Sequence, residues 1–147
     1  MGIEIERKFT VVGDAWRSSA RSVRIVQGYL NRDARRAVRI RTMDQKGLIT
    51  IKGLSRGAAR TEFEYEIPVD DARQMLHELC LEPLIEKTRY YVPHDGLVWE
   101  IDEFHAPCAG LILAEIELPS VGYDFKRPDW VQEEVTGNPR YYNQNMS

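Results

Sequence analysis

The sequence predicts a mainly β (α+β) fold built from eight antiparallel strands, on three observations. Apolar and polar residues alternate with period two in eight separate stretches. Turn-forming residues stand between consecutive stretches, as in an up-and-down meander. One long stretch alone has helical spacing.

Along the chain, the strands fall at residues 3–11, 23–30, 37–43, 48–53, 61–69, 84–92, 97–104 and 110–118. A short helix is expected near 14–19, between the first two. Asn31-Arg32-Asp33 turns the second strand into the third, and Asp44-Gln45-Lys46-Gly47 turns the third into the fourth. After the fifth strand, Asp70 reads as the N-cap of a helix whose Ala72, Met75, Leu76, Leu79 and Cys80 form an apolar stripe that packs on the sheet. His94-Asp95-Gly96 and Pro107-Cys108-Ala109-Gly110 join the last three strands, and a further short helix is expected over 129–136. No composition shift or linker divides the chain, so residues 1–147 read as one domain.

Lys and Arg number 20 against 23 Asp and Glu, a formal net charge of -3. Such a field repels nucleic acid and anionic membranes, so neither is an expected partner and any anion must be captured by a local site. No run approaches the roughly 20 apolar residues of a membrane span, and the charged beginning has no apolar leader, so a cytoplasmic location is expected. Met1-Gly2 fails as a myristoylation signal because Glu6 stands where Ser or Thr is required. Cys80 and Cys108 are far apart, without CxxC or histidine at zinc spacing, and read as reduced, mostly buried thiols. His77, His94 and His105 lack partners at catalytic spacing, and Arg56 and Arg60 read as solvated surface residues.

Strand side chains alternate between faces, so parity assigns each charge to a side. Glu4, Glu6 and Lys8 share one; so do Arg39 and Arg41; Glu62, Glu64 and Glu66; Lys87 and Arg89; Glu100 and Asp102; Glu115 and Glu117. The opposite face holds Ile3, Ile5 and Phe9, then Val38 and Ile40, Phe63, Tyr65 and Ile67, Trp99 and Ile101, and Ala114, Ile116 and Leu118. An open, half-exposed sheet explains that alternation. So does a closed barrel with the charges inside. Two carboxylates two residues apart on a strand lie roughly 7 Å apart and repel by about 0.6 kcal/mol in water, but by about 2.4 kcal/mol at an effective dielectric near 20. Enclosure therefore demands cations, which Lys8, Arg39, Arg41, Lys52, Lys87 and Arg89 supply, and a divalent metal on the acids would offset more. Such an interior matches a metal with a compact oligophosphate and is wrong for an apolar ligand.

These residues also form a known set: the chain resembles the triphosphate tunnel metalloenzymes, or CYTH superfamily. Its pieces stand in the family's order: ExExK at Glu4-Ile5-Glu6-Arg7-Lys8, QGYL from Gln27, RIR at Arg39–Arg41, the TIKG lysine Lys52, EYEI from Glu64, EKTRY from Glu86, EIDEF from Glu100 and AEIEL from Ala114. The resemblance implies a closed eight-stranded antiparallel β-barrel forming a charged tunnel, with a few short helices outside and at the C-terminus. It implies Glu4, Glu6, Glu115 and Glu117 as acids facing Mg²⁺ or Mn²⁺, and Asp102 as a supporting or direct ligand. Lys8, Arg39, Arg41, Lys52, Lys87 and Arg89 become the phosphate clamp, with Glu62 and Glu64 as supporting acids. Arg140, in the closing segment near RYxN, is expected to reach the tunnel.

Short members that begin like this one resemble inorganic tripolyphosphatases, so the expected substrate is a small-molecule triphosphate, split to pyrophosphate and phosphate. Tyr29, activated by Lys8, is the candidate general base. Thiamine triphosphatase, nucleoside triphosphatase, class IV adenylate cyclase and a non-catalytic polyphosphate or nucleotide binder are the alternatives. An apolar outer face with few helices to cover it points to a homodimer.

Overall fold

The computed structural model describes residues 2–19 and 21–146. Nine strands follow in order: β1 (Ile3–Val11), β2 (Arg21–Tyr29), β3 (Arg36–Met43), β4 (Lys46–Gly53), β5 (Ala59–Ile67), β6 (Ile85–His94), β7 (Leu97–Ala106), β8 (Ile112–Glu117) and β9 (Val131–Glu134). One α-helix, α1 (Val69–Glu78), follows β5, and 3₁₀ turns occupy Ala15–Ser19, Pro139–Tyr141 and Asn143–Asn145. The eight expected strands each lie within two residues of β1 to β8. All neighbours pair antiparallel in the order β5-β4-β3-β2-β6-β7-β8-β1. β1 then pairs β5, with Ile3 opposite Thr61, and the sheet closes into an eight-stranded barrel. Its hairpins follow from the turn residues. Asp95 (φ 51°) and Gly96 (φ 80°) both take positive φ, the two-residue turn whose twist matches the strands it joins.

β9 is a correction, because 129–136 was expected to be helical. β5 leaves β1 after Ile5, which strands the backbone edge of residues 8–11. β9 takes that edge, with Phe9 opposite Glu134 and Val11 opposite Val131, and Val135 N–H then donates to the Lys8 carbonyl at 2.8 Å. Pairing an open edge outweighs the local helical pattern. The helix also starts differently: Pro68 holds the N-cap position without a side-chain cap, and Asp70 and Asp71 lie in the first turn, where the helix dipole favours them. Ala72 and Leu76 are buried against β3 and β4, whereas Leu79 is 61% exposed and outside the stripe.

Two apolar layers cover the outside. Phe9, Trp16, Trp99, Ile101 and Ile116 pack beneath Phe125 and Trp130, whose rings meet Trp99 edge-on. Ile40, Ala72 and Leu76 form the layer under α1. The second demands close approach. A Cβ on Gly47 would stand 2.9 Å from Ala72 Cβ, and one on Gly28 would stand 2.7 Å from Leu84 and 2.8 Å from Cys80. Glycine is therefore required where the helix and its exit cross β4 and β2. A third cluster, Tyr29, Ile85, Phe104, Leu113 and Val135, includes inward-facing residues of β2, β6, β7 and β8 and fills one end of the barrel. Outside, Ile3, Ile51, Phe63 and Tyr65 on β1, β4 and β5 are 40% to 65% exposed. No described helix is long and apolar enough to cross a membrane. Both cysteines are free and half-buried, and burial raises the Cys80 thiol to about 11.

Candidate active site

Closure turns the charged face inward. A cavity of about 190 Å³ is lined by Glu4, Glu6 and Lys8 of β1, Arg39 and Arg41 of β3, Lys52 of β4, Glu62 and Glu64 of β5, Lys87 and Arg89 of β6, and Glu115 and Glu117 of β8, with Tyr29 of β2. Strand register builds it in layers: Lys8 stands opposite Glu115, Glu6 opposite Glu117, Arg89 opposite Asp102, and Glu100 opposite Glu115.

The cations are held by different anchors. Arg89 donates through Nε and Nη2 to both oxygens of Asp102 at 2.8 and 3.0 Å, and Lys87 Nζ meets the same carboxylate at 2.7 Å. Lys52 Nζ lies 3.2 Å from Glu4 and 3.1 Å from Glu62. Arg39 meets Glu64 at 3.3 Å and the Thr50 hydroxyl at 3.1 Å, and that hydroxyl donates to Glu64 at 2.7 Å. Arg39 Nε is buried with no acceptor among the described residues. A buried guanidinium N–H left without a partner costs free energy until an acceptor arrives.

The acids are paired rather than gathered. Burial, with repulsion from Glu115 and Glu4, pushes the Glu6 carboxyl well above its ordinary value. Burial also opposes ionisation of Glu115, but Lys8, Arg89 and the proton donated by Glu6 hold it well below. The two carboxyls share one proton, as close like charges must. Burial outweighs Lys52 and keeps Glu4 above its ordinary value, and burial and Glu4 do the same for Glu117. Among the described residues no three acidic, histidine or cysteine side chains stand at coordinating distance. The donor set is nonetheless all carboxylate oxygen, which suits a hard divalent ion.

Burial sets the other extreme at Lys87. Despite Asp102, burial and the neighbouring Arg89 and Arg41 bring its ammonium down to about 7. Asp102 itself goes down to about 2, because Arg89 and Lys87 overcome its burial. The two shifts agree, since one carboxylate serves two cations and the lysine is the weaker claimant.

Two expectations are relocated. Asp102 does not line the cavity, and its oxygens are engaged by Arg89 and Lys87. Arg140 is exposed, its guanidinium 5.8 Å from the Tyr141 ring centre, and does not enter the cavity. The C-terminal segment reaches inside through neutral oxygens instead. Lys8 Nζ donates to the Tyr141 carbonyl at 3.0 Å, Lys87 Nζ to Asn143 Oδ1 at 2.8 Å, and Arg60 Nη2 to Gln144 Oε1 at 3.1 Å. Arg60, expected on the solvated surface, lines the cavity, as does Glu100. Both share the inward parity of their strands, so alternation marks them; Asn143 and Gln144 carry no such signal.

The CYTH domain family matches residues 2–145. The chain is 51% identical over 146 residues to an inorganic triphosphatase of Acetivibrio thermocellus, covering 99% of this chain and 94% of that protein. It is 34% identical to an inorganic triphosphatase of Nitrosomonas europaea, covering 98% and 96%. The crystal structure of the inorganic triphosphatase NE1496 superposes with a TM-score of 0.69 at 31% identity, covering 97% of this chain and 95% of that one. An inward-charged barrel and a match running almost from end to end lead to one assignment: the chain belongs to the CYTH domain family.

Proposed function

We propose that this protein is a divalent-metal-dependent inorganic triphosphatase that splits tripolyphosphate into pyrophosphate and phosphate inside the barrel. The observation that carries it is the convergence of Lys8, Arg39, Arg41, Lys52, Lys87 and Arg89 with seven glutamates on one cavity. Its lining is mostly charged and polar, which suits a bare oligophosphate better than the apolar part of a nucleotide or thiamine ester. The relatives named inorganic triphosphatase support the same substrate.

Mg²⁺ or Mn²⁺, held by Glu4, Glu6, Glu115 and Glu117, would neutralise phosphate oxygens and polarise the terminal phosphoryl group. The clamp cations bind and align the chain of phosphates. Glu62 and Glu64 steer Lys52 and Arg39. Asp102 anchors Arg89 and Lys87 from outside the cavity. Tyr29, against the apolar end wall, is the candidate base, and as phenolate its oxygen would take the proton of the attacking water. Its replacement by Phe with full turnover would remove that role.

The free cysteines fit a reducing compartment, and we place the enzyme in the cytoplasm. The exposed strip of Ile3, Ile51, Phe63 and Tyr65 supports a homodimer, which sedimentation of wild type and Phe63→Glu tests. Phosphate release from tripolyphosphate, ATP and thiamine triphosphate, with and without Mg²⁺, tests the activity. Metal-dependent turnover of tripolyphosphate above the other two is expected. Tight binding without phosphate release would make the protein a polyphosphate binder instead.

A further inference from the structure

Gln27 of β2 is wholly buried and shares the inward side of its strand with Tyr29. Its Oε1 accepts from Nε and Nη2 of Arg41 at 3.0 and 2.8 Å. Its Nε2 donates to Asn143 Oδ1 at 2.9 Å, and that same oxygen accepts from Lys87 Nζ at 2.8 Å. One amide thus joins two cavity cations to the C-terminal segment.

Chemistry dictates which way the amide points. Turned over, its NH₂ would face two guanidinium donors with nothing to accept. The neutrality of the group also matters. Arg39 is steered by Glu64, Arg89 by Asp102, and Lys52 by Glu4 and Glu62, but Arg41 has no carboxylate within ion-pair distance among the described residues. A carboxylate would aim the guanidinium and also engage its charge, in competition with a phosphate. An amide aims it and leaves the charge for the ligand.

We propose that Gln27 is a positioning residue for the phosphate clamp, aiming Arg41 directly and seating Lys87 through Asn143 on the docked C-terminal segment. The role rests on the triphosphatase function proposed above. Steady-state kinetics with tripolyphosphate and Mg²⁺ on wild type, Gln27→Leu, Gln27→Glu, Asn143→Ala and the Gln27→Leu/Asn143→Ala double variant test it. Gln27→Leu is expected to raise KM about tenfold or more, since Arg41 loses both hydrogen bonds that aim it. Gln27→Glu keeps the shape and still raises KM, because its charge occupies Arg41. The double variant loses no more than the worse single one, as expected for residues on one path. Thermal melts identify any variant that fails to fold, in which case Gln27→Glu carries the test. Folded Gln27 variants with KM within about twofold of wild type, or losses that add in the double variant, overturn the positioning role and leave the hydrolysis standing. A wild type that releases no phosphate from tripolyphosphate overturns both.

Discussion

Replacing Asp102 by Ala removes the single carboxylate that holds two buried cations. Asp102 and Lys87 are each 1% exposed, and Arg89 is buried beside them. The substitution deletes two charge-assisted hydrogen bonds from Arg89, at 2.8 and 3.0 Å, and the 2.7 Å ion pair of Lys87, leaving Arg89 with Glu100 at 3.5 Å and Lys87 with the neutral Asn143 oxygen, both next to Arg41. Breaking a buried pair in this way costs about 3–5 kcal/mol. Against a total stability of about 5–15 kcal/mol this is a large fraction. For a domain of this size it lowers Tm by roughly 6–20 °C. Urea unfolding read by circular dichroism gives the free energy, and Tm follows from a thermal scan. Tripolyphosphate should restore more stability to the variant than to wild type, because its charge takes over the cations that Asp102 held. A loss below about 1 kcal/mol, within the range of exposed ion pairs, would refute the anchoring role.

The same carboxylate gives a pH dependence with a definite sign. Its folded value of about 2 lies below the ordinary 3.8, so its contribution is complete above pH 3.8 and is lost as pH falls toward 2, an amount of about 2 kcal/mol. Lys87, at about 7, is partly neutral near pH 7.5, and a polyanion beside it favours its charged form. Tripolyphosphate binding at that pH should therefore take up protons, which calorimetry in two buffers of different ionisation enthalpy measures; no buffer dependence would contradict it. Arg39→Ala should raise KM and lower kcat together, since the arginine lines the cavity as part of the clamp; unchanged kinetics would remove it from the clamp. Glu6→Gln should abolish metal-dependent turnover yet leave the metal-free fold as stable or more so, because it removes a buried acid that is already forced to stay protonated; a marked drop in metal-free Tm would count against the shared proton.

Parity made the inner face legible. Glu4, Glu6, Lys8, Arg39, Arg41, Lys52, Lys87, Arg89, Glu115 and Glu117 reach one cavity because a closed barrel preserves the alternation of each strand. The same rule puts Glu100 on the charged face, although the family pattern gives it no site role, and it applies equally to Arg60, which shares the parity of Glu62 and Glu64. Alternation says nothing about closure itself. That rests on the β1–β5 pairing, whose residues are some 55 positions apart in sequence. Nor does it reveal which cation an acid serves. Asp102 and Glu115 lie on the inner faces of adjacent strands, yet Asp102 is engaged by Arg89 and Lys87 while Glu115 remains at the cavity wall. For the C-terminal segment the family resemblance points to a basic residue near RYxN, Arg140, which lies outside the cavity. The groups that enter are a backbone carbonyl and two side-chain amides, set by 3₁₀ turns without a sequence period. The strand at 131–134 was missed for a related reason, since an unpaired edge on β1 is a property of the assembled barrel.

A crystal structure of the protein with Mn²⁺ and a non-hydrolysable imido analogue of tripolyphosphate would test the central claim most directly. Anomalous density for manganese beside Glu4, Glu6 and Glu115, with the phosphates inside the barrel against Arg39, Arg41, Lys52 and Arg89, is the predicted result. Manganese and analogue bound on the outer surface, with the interior cations still held only by their own carboxylates and amides, would contradict it.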